Sequence, residues 1–190
     1  MEIIINNGHL QYFPNFINTA RAYEYFRTLQ GLNWQQAQVR YYRKMVPIPR
    51  LQAWYGDQLC DYQYSGISLT AQPWSPLLLT LKQAVEAHSA VPFNSVLANY
   101  YRDQHDCVAW HSDDEPELGV DPVIASLSFG GERAFKMKHK LTGETMNIVL
   151  KAGDLLLMSG STQTYWLHTI ARTKTVKAAR INLTFRKIIR

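Results

Sequence analysis

Two cysteines, Cys60 and Cys107, are all that this 190-residue chain offers for thiol chemistry, and neither sits in a CxxC pair or a regular framework. A disulfide scaffold is thereby excluded, and free thiols in a reducing compartment are the simplest reading. Long apolar runs are missing too: nothing approaches the ~18 consecutive apolar residues of a membrane span. The opening MEIIINNGHLQYF has a short apolar run, without the basic flank and small-residue cleavage site of a secretory leader. The expectation is a soluble, cytoplasmic protein with no membrane partner. Internal repeats, low-complexity tracts and linkers are also absent from the sequence. Neither sign of charge dominates, since 20 Lys+Arg against 15 Asp+Glu leave a net +5 and a pI near 9.2. That balance favours an anionic partner, nucleic acid first, though only weakly by itself.

What is present is enough apolar matter for one sizeable core, with 46% hydrophobic and 12% aromatic residues. One monomeric domain over residues 1–190 is expected. Phe16, Ala20, Tyr23, Phe26 and Leu29 recur at helical spacing, so a helix is predicted from Asn15 to Leu29, with Gly31 as its stop. A second helix should start at Ser75-Pro76, a side-chain cap followed by proline in the first turn, and run toward Ala90. Beyond Pro92 the pattern becomes short β-branched and aromatic stretches: Ser95–Tyr101, Val108–His111, Val123–Phe129, Ala134–Lys138, Thr145–Leu150, Asp154–Met158, Tyr165–Ile170 and Arg180–Arg186. Gly130-Gly131, Thr142-Gly143 and Gly153-Asp154 punctuate them as turns. The fold class is therefore mainly β with flanking helices, a jelly-roll or barrel core over residues 93–190 buttressed and lidded by residues 1–92.

Chemistry concentrates in that C-terminal half. His111 and Asp113 flank Ser112, His168 stands alone, and Arg180-Ile181-Asn182-Leu183-Thr184-Phe185-Arg186 lies close to the end. Two imidazoles and one carboxylate leave half of an octahedral ion's positions open, as in non-haem ferrous oxygenases, and two arginines suit a dicarboxylate such as 2-oxoglutarate. On a strand, side chains two apart project to one face, so His111 and Asp113 can converge while His168 approaches from another strand. Each part also has a bland reading. A His-x-Asp pair beside Trp110 can be packed strand, and RINLTFR can be a strand with a solvated polar face.

The conjunction is more specific than its parts. Asn99-Tyr100-Tyr101, His111-Ser112-Asp113-Asp114-Glu115, Ser126-Leu127-Ser128-Phe129-Gly130, Gly153-Asp154-Leu155, Trp166-Leu167-His168 and RINLTFR occur in that order. Through them the segment from Asn99 to Arg186 resembles the AlkB family of Fe(II)/2-oxoglutarate-dependent nucleic-acid dealkylases. The resemblance implies a double-stranded β-helix core and His111, Asp113 and His168 as iron ligands. It implies Arg180 on the distal carboxylate of 2-oxoglutarate, with Tyr101 and Asn182 as partners. Arg186, with Asn99, would lie nearer the metal end and brace Asp113. The implied reaction is oxidative demethylation of bases such as 1-methyladenine and 3-methylcytosine, in DNA or RNA, consuming O2 and releasing formaldehyde, succinate and CO2. Two alternatives remain at this stage: an Fe(II)/2-oxoglutarate hydroxylase of a small molecule or protein side chain, and a non-catalytic jelly-roll binding module.

Substrate contacts are read more loosely. Glu115 could meet a cationic methylated base, and a base with a methylated pairing edge is cheaper to extrude. Aromatic residues are dense in the N-terminal half, at Trp34, Tyr41, Tyr42, Trp54, Tyr55, Tyr62 and Tyr64, interleaved with Arg40, Arg43, Lys44 and Arg50. By position relative to the family's substrate lid, Tyr62, Tyr64 and Ser65 are the expected base contacts, and Tyr42 a wedge into the duplex. Arg133 and the stretch Lys136–Lys140 are further candidates for phosphate.

Overall fold

The computed structural model describes residues 1–58, 60, 62–64 and 67–189, with side chains at all of these but 41, 62–64 and 67–69. In chain order the elements are β1 (Glu2–Ile5), β2 (Gly8–Phe13), α1 (Thr19–Leu29), β3 (Gln38–Tyr41), β4 (Lys44–Pro47), β5 (Leu51–Gly56), β6 (Tyr62–Tyr64) and β7 (Ile67–Leu69). Then come α2 (Pro76–Ser89), β8 (Ser95–Tyr101), β9 (Val108–His111), β10 (Ile124–Gly130), β11 (Arg133–His139), β12 (Thr145–Leu150), β13 (Leu155–Ser159), α3 (Thr162–Tyr165), β14 (Trp166–Ile170) and β15 (Arg180–Arg186).

Two antiparallel sheets face each other, as expected of a jelly roll. The larger runs β1-β2-β13-β10-β15-β8-β5 and the smaller β12-β11-β14-β9, while β3-β4 and β6-β7 form separate hairpins. The alternation of each strand sorts its side chains into two layers. Ile181, Leu183 and Phe185 of β15, with Val96 and Ala98 of β8 and Ala125, Leu127 and Phe129 of β10, meet Ala22 and Leu29 of α1 and Leu78, Leu81 and Val85 of α2. The opposite face of the large sheet meets Phe135, Met137, Ile148, Leu150, Trp166 and Ile170 of the small sheet. The helices thus buttress one side, and the polar members of β15 point into the space between the sheets.

Helix α2 starts where its cap predicts, with Ser75 Oγ accepting the Leu78 N–H at 3.3 Å. Helix α1 starts four residues later than its apolar spacing suggests. Asn15 has φ +54° and donates its N–H to Asp154, so the chain is still turning there, and Asn18 caps the helix by accepting from Arg21 N–H. Turn chemistry outweighed periodicity at that end. Strands ahead of residue 93 escaped the sequence reading, yet β1, β2 and β5 complete both flanks of the large sheet. Gly153 is confined to its identity by position: φ is +84°, and a Cβ would lie 2.0 Å from the carbonyl oxygen of Ile17.

Candidate metal centre and anion pocket

Adjacent strands β9 and β14 of the small sheet place His111 directly opposite His168, with ring centroids 4.2 Å apart. Asp113 joins them, and one ligand atom from each of the three lies within 4.8 Å of the others. Strand alternation does not carry Asp113, because β9 ends at His111. Two hydrogen bonds to the segment before His168 do so instead. Ser112 Oγ donates to Trp166 O at 3.1 Å, and the Asp113 N–H donates to Gln163 Oε1 at 2.9 Å. Gln163 is 1% exposed and sits on α3, the short helical turn immediately before β14. One side chain therefore fixes the loop of one candidate ligand to the strand of another.

The sequence reading missed Gln163, since nothing in its local pattern marks it. Gln163→Leu should weaken divalent-metal binding by roughly 10–100-fold, the usual effect of losing an outer-shell partner. The unpaired Asp113 N–H should also cost about 1–3 kcal/mol of stability. Metal titration and urea unfolding of the same variant check both.

The electrostatics suit a divalent cation. His111 holds its Nδ1 2.8 Å from Ala109 O, which fixes that nitrogen as donor and makes Nε2 the ring nitrogen that carries the lone pair. His168 stacks on Phe135, and burial, helped by neighbouring His111, pushes its pKa down to about 3. Burial also lowers His111, so both rings are neutral and able to give a lone pair. Burial alone would raise Asp113, but Arg186 first, then the two histidines, hold its pKa below the ordinary value. Arg186 Nη2 donates to Asp113 Oδ1 at 2.5 Å, with both side chains all but fully buried. Neutral imidazoles, an ionised carboxylate and three open positions are the donor set of a non-haem Fe(II) site, so the residues fit such an ion.

Folding takes the His168 pKa from 6.5 to about 3, so between those values the unfolded chain binds the extra proton. The contribution of this group to metal-free stability is full above pH 6.5 and declines as pH falls toward 3. Unfolding of the metal-free protein at pH 7.5 and pH 5 should show the decline, and His168→Phe should flatten it. Equal slopes in the two proteins would contradict the assignment.

A narrow cavity of about 40 Å³, partly open to solvent, extends from these three residues and is lined by Asn99, Tyr101, Arg180, Asn182 and Arg186 among others. All seven residues of β15 are buried, which removes the reading of a solvated polar face. Arg180 is 1% exposed, donates Nη2 to Asn182 Oδ1 at 2.8 Å and Ser128 Oγ at 3.0 Å, and lies 5.4 Å from the centre of the Tyr101 ring. Among the described residues its Nε and Nη1 are buried without a carboxylate partner, and the Tyr101 phenol is the polar group that favours its charge. Burial pushes its pKa down to about 10, against which the Tyr101 phenol acts favourably. Among the described residues no carboxylate answers this guanidinium, so an anion entering the cavity would. Ser126 and Thr184 complete the polar wall, with Ser128 behind Arg180, and none of the three was anticipated in these roles.

Several expected roles change. Asn99, expected with Arg186 nearer the metal end of the co-substrate, lines the same cavity as Arg186 and lies opposite Asn182 and Gln52 in the sheet, accepting from Arg50 Nε at 2.9 Å and Gln52 Nε2 at 3.1 Å. Arg50, expected among surface phosphate contacts, is buried and lines the cavity. Arg133 is no phosphate ligand, because its guanidinium donates to the carbonyls of Asp103, Asp106 and Ala171 and is 2% exposed. Within Lys136–Lys140, Lys140 is tied to Asp114 and Gln163 O, whereas Lys136 and Lys138 are exposed. Glu115 is partly buried, outside the cavity lining, and starts the 3-10 turn Pro116–Leu118. Tyr42 is 85% exposed at the tip of hairpin β3-β4 with φ +52°. Tyr62 and Tyr64 lie on β6 with side chains outside the described set, and Ser65 lies outside the described residues altogether.

A jelly roll holding an open His-Asp-His centre beside a buried arginine pocket defines the class of metal- and 2-oxo-acid-dependent oxygenases. The chain belongs to the 2OG-Fe(II) oxygenase superfamily, whose sequence model matches residues 9–186, and within it to the AlkB-like family. It is 41% identical over 187 residues to alpha-ketoglutarate-dependent dioxygenase alkB homolog 3 of Rattus norvegicus, covering 93% of this chain and 63% of that protein. It is 41% identical over 161 residues to DNA oxidative demethylase ALKBH2 of Mus musculus, covering 80% of this chain and 67% of the relative. The chain thus spans less than two thirds of the alkB homolog 3 relative. The solved structure of OsALKBH1 shares the fold, with a TM-score of 0.63 at 18% identity over 98% of this chain and all of that one.

Proposed function

We propose that this protein removes N-linked methyl groups from nucleic-acid bases of the 1-methyladenine and 3-methylcytosine type, in DNA or RNA, using Fe(II), O2 and 2-oxoglutarate. The observation that carries the reading is the shared cavity in which His111, Asp113 and His168 converge beside the buried Arg180, with which no carboxylate among the described residues pairs. The names of the AlkB-like relatives support the choice of substrate. When bound, iron with its co-substrate supplies oxidation of the methyl group, which leaves as formaldehyde while 2-oxoglutarate becomes succinate and CO2. The protein itself orients and shields. His111, Asp113 and His168 hold the ion, and Arg186 keeps Asp113 ionised and aimed. Arg180, backed by Tyr101 and Asn182, takes the distal carboxylate.

The nucleic acid would approach from hairpin β3-β4, where Arg43, Lys44, Met45 and Tyr42 are all exposed. Cationic and aromatic groups together suit phosphate and base contacts. Tyr62, Tyr64 and Ser65 follow in sequence as the remaining base-contacting residues of this reading. Glu115, two residues beyond Asp113, is assigned to the cationic base. Its replacement by Ala should impair turnover of methylated bases with metal and co-substrate binding retained.

Methylated and unmethylated DNA and RNA oligonucleotides, single- and double-stranded, test the proposal with formaldehyde and succinate measured together. Equal amounts of both products, only from methylated oligonucleotides, are expected. Succinate formation that no oligonucleotide stimulates would reject the substrate class.

A further inference from the structure

We propose that Arg133 is a positioning residue for the co-substrate: by holding the Tyr101 ring against Arg180, it sets the affinity for the distal carboxylate of a 2-oxo diacid. The inference rests on the oxygenase reading above and adds to it a residue that stands outside the cavity lining. Arg133 opens β11 and is 2% exposed. Its Nη1 donates to Asp103 O at 3.1 Å, and its Nη2 to Asp106 O at 2.9 Å and Ala171 O at 2.7 Å. Three fixed acceptors around one planar fork leave the guanidinium no freedom to turn. The nearby Asp106 carboxylate is taken by Arg102, through bonds of 2.7 and 2.9 Å. What the Arg133 cation faces instead is an aromatic ring: its central carbon lies over Tyr101, 5.6 Å from the ring centroid. Burial lowers the Arg133 pKa, and Tyr101 leads the groups that oppose the fall.

Tyr101 is where this clamp reaches the cavity. It ends β8 directly opposite Arg180 of β15, is 3% exposed, and lines the cavity wall. The Arg180 guanidinium lies over the same ring, 5.4 Å from its centroid, so one phenol serves two buried cations. Arg133 holds that phenol in two ways. It sits over the ring, and it fixes the carbonyls of Asp103 and Asp106, in the segment by which the chain leaves β8 after Tyr101. A neutral donor could satisfy those carbonyls, whereas a desolvated cation over the ring is a directional attraction that a neutral group lacks. The two guanidiniums disfavour each other: after burial, Arg133 lowers the Arg180 pKa, and Tyr101 opposes both. With the ring loose, Arg180 would keep only Ser128 and Asn182 as guides, and its fork would lose the alignment that a carboxylate requires.

Calorimetric titration of the anaerobic Fe(II)-loaded protein tests this with 2-oxoglutarate and with 2-oxobutanoate, which lacks the distal carboxylate. Arg133→Gln keeps donors for the backbone carbonyls and removes the charge. It should weaken 2-oxoglutarate by roughly 3–30-fold, the range of one desolvated cation–π contact, and leave 2-oxobutanoate and Fe(II) affinity unchanged. Arg133→Lys, which returns a cation, should recover part of the loss. In a Tyr101→Leu background, where the transmitting ring is gone, Arg133→Gln should not weaken 2-oxoglutarate any further. Equal weakening of the two ligands, or the same loss with and without the Tyr101 ring, would overturn the proposal in favour of a structural brace. Unchanged 2-oxoglutarate binding by Arg133→Gln would overturn it outright. Should Arg133→Gln unfold at the titration temperature, Arg133→Lys carries the same comparisons with a smaller expected loss, and the same outcomes decide. If the unsubstituted protein binds neither ligand, the oxygenase reading itself fails, a result separable from equal binding by Arg133→Gln and the unsubstituted protein.

Discussion

Asp113→Ala is expected to abolish formaldehyde release and divalent-metal binding, and to destabilise the metal-free protein as well. The first effect follows from removing the only anionic member of a three-donor site, and should exceed the roughly 10–100-fold typical of an outer-shell partner. The second follows from Arg186. Its guanidinium is 2% exposed and donates to Asp113 Oδ1, so truncating the carboxylate leaves a buried cation without its counter-ion. Breaking such a pair costs about 3–5 kcal/mol. His111→Ala should match it in lost turnover but not in lost stability, because His111 is partly exposed and gives up no buried charge. Metal titration and urea unfolding of the two variants separate the effects. Equal stability of both would mean that the Asp113–Arg186 pair contributes little to the fold.

Arg180→Met is expected to move function and stability in opposite directions. Two charge-assisted hydrogen bonds to the distal carboxylate, at roughly 1.5–3 kcal/mol each, correspond to about a 10²–10⁴-fold higher 2-oxoglutarate requirement when lost. Yet the charged side chain is itself costly: burial depresses its pKa to about 10, and among the described residues no carboxylate pairs with it. Methionine fills similar space without a charge, so the ligand-free protein should be at least as stable as before. Arg180→Lys should restore little, since a point charge cannot reproduce the planar fork. A ligand-free protein that unfolds several kcal/mol more easily, with unchanged co-substrate saturation, would move 2-oxoglutarate elsewhere and make Arg180 structural.

Much of the site was legible because its residues obey strand periodicity. In RINLTFR the apolar members face the helices and the polar ones the cavity, so the motif alone told which side chains share a face. The strands from β8 onward were readable for the same reason, to within a residue or so at their ends. What escaped was set by tertiary contact. The strand β5 reads LQAWYG, and its place at the flank of the sheet depends on pairing with β8, which no local pattern announces. Asp113 is aimed by Gln163, fifty positions away, and Arg50 looked like surface charge because its burial arises only when the two sheets close. Local reading also misjudged Arg133, whose guanidinium is spent on three backbone carbonyls.

The central claim is that His111, Asp113 and His168 together hold one ferrous ion within reach of 2-oxoglutarate. Anaerobic titration of Fe(II) into the metal-free protein in the presence of 2-oxoglutarate, followed by its absorption spectrum, tests this most directly. One ion per chain is predicted, with a charge-transfer band that requires both components and vanishes in Asp113→Ala and His168→Ala. An equal band and stoichiometry in either variant would contradict the account.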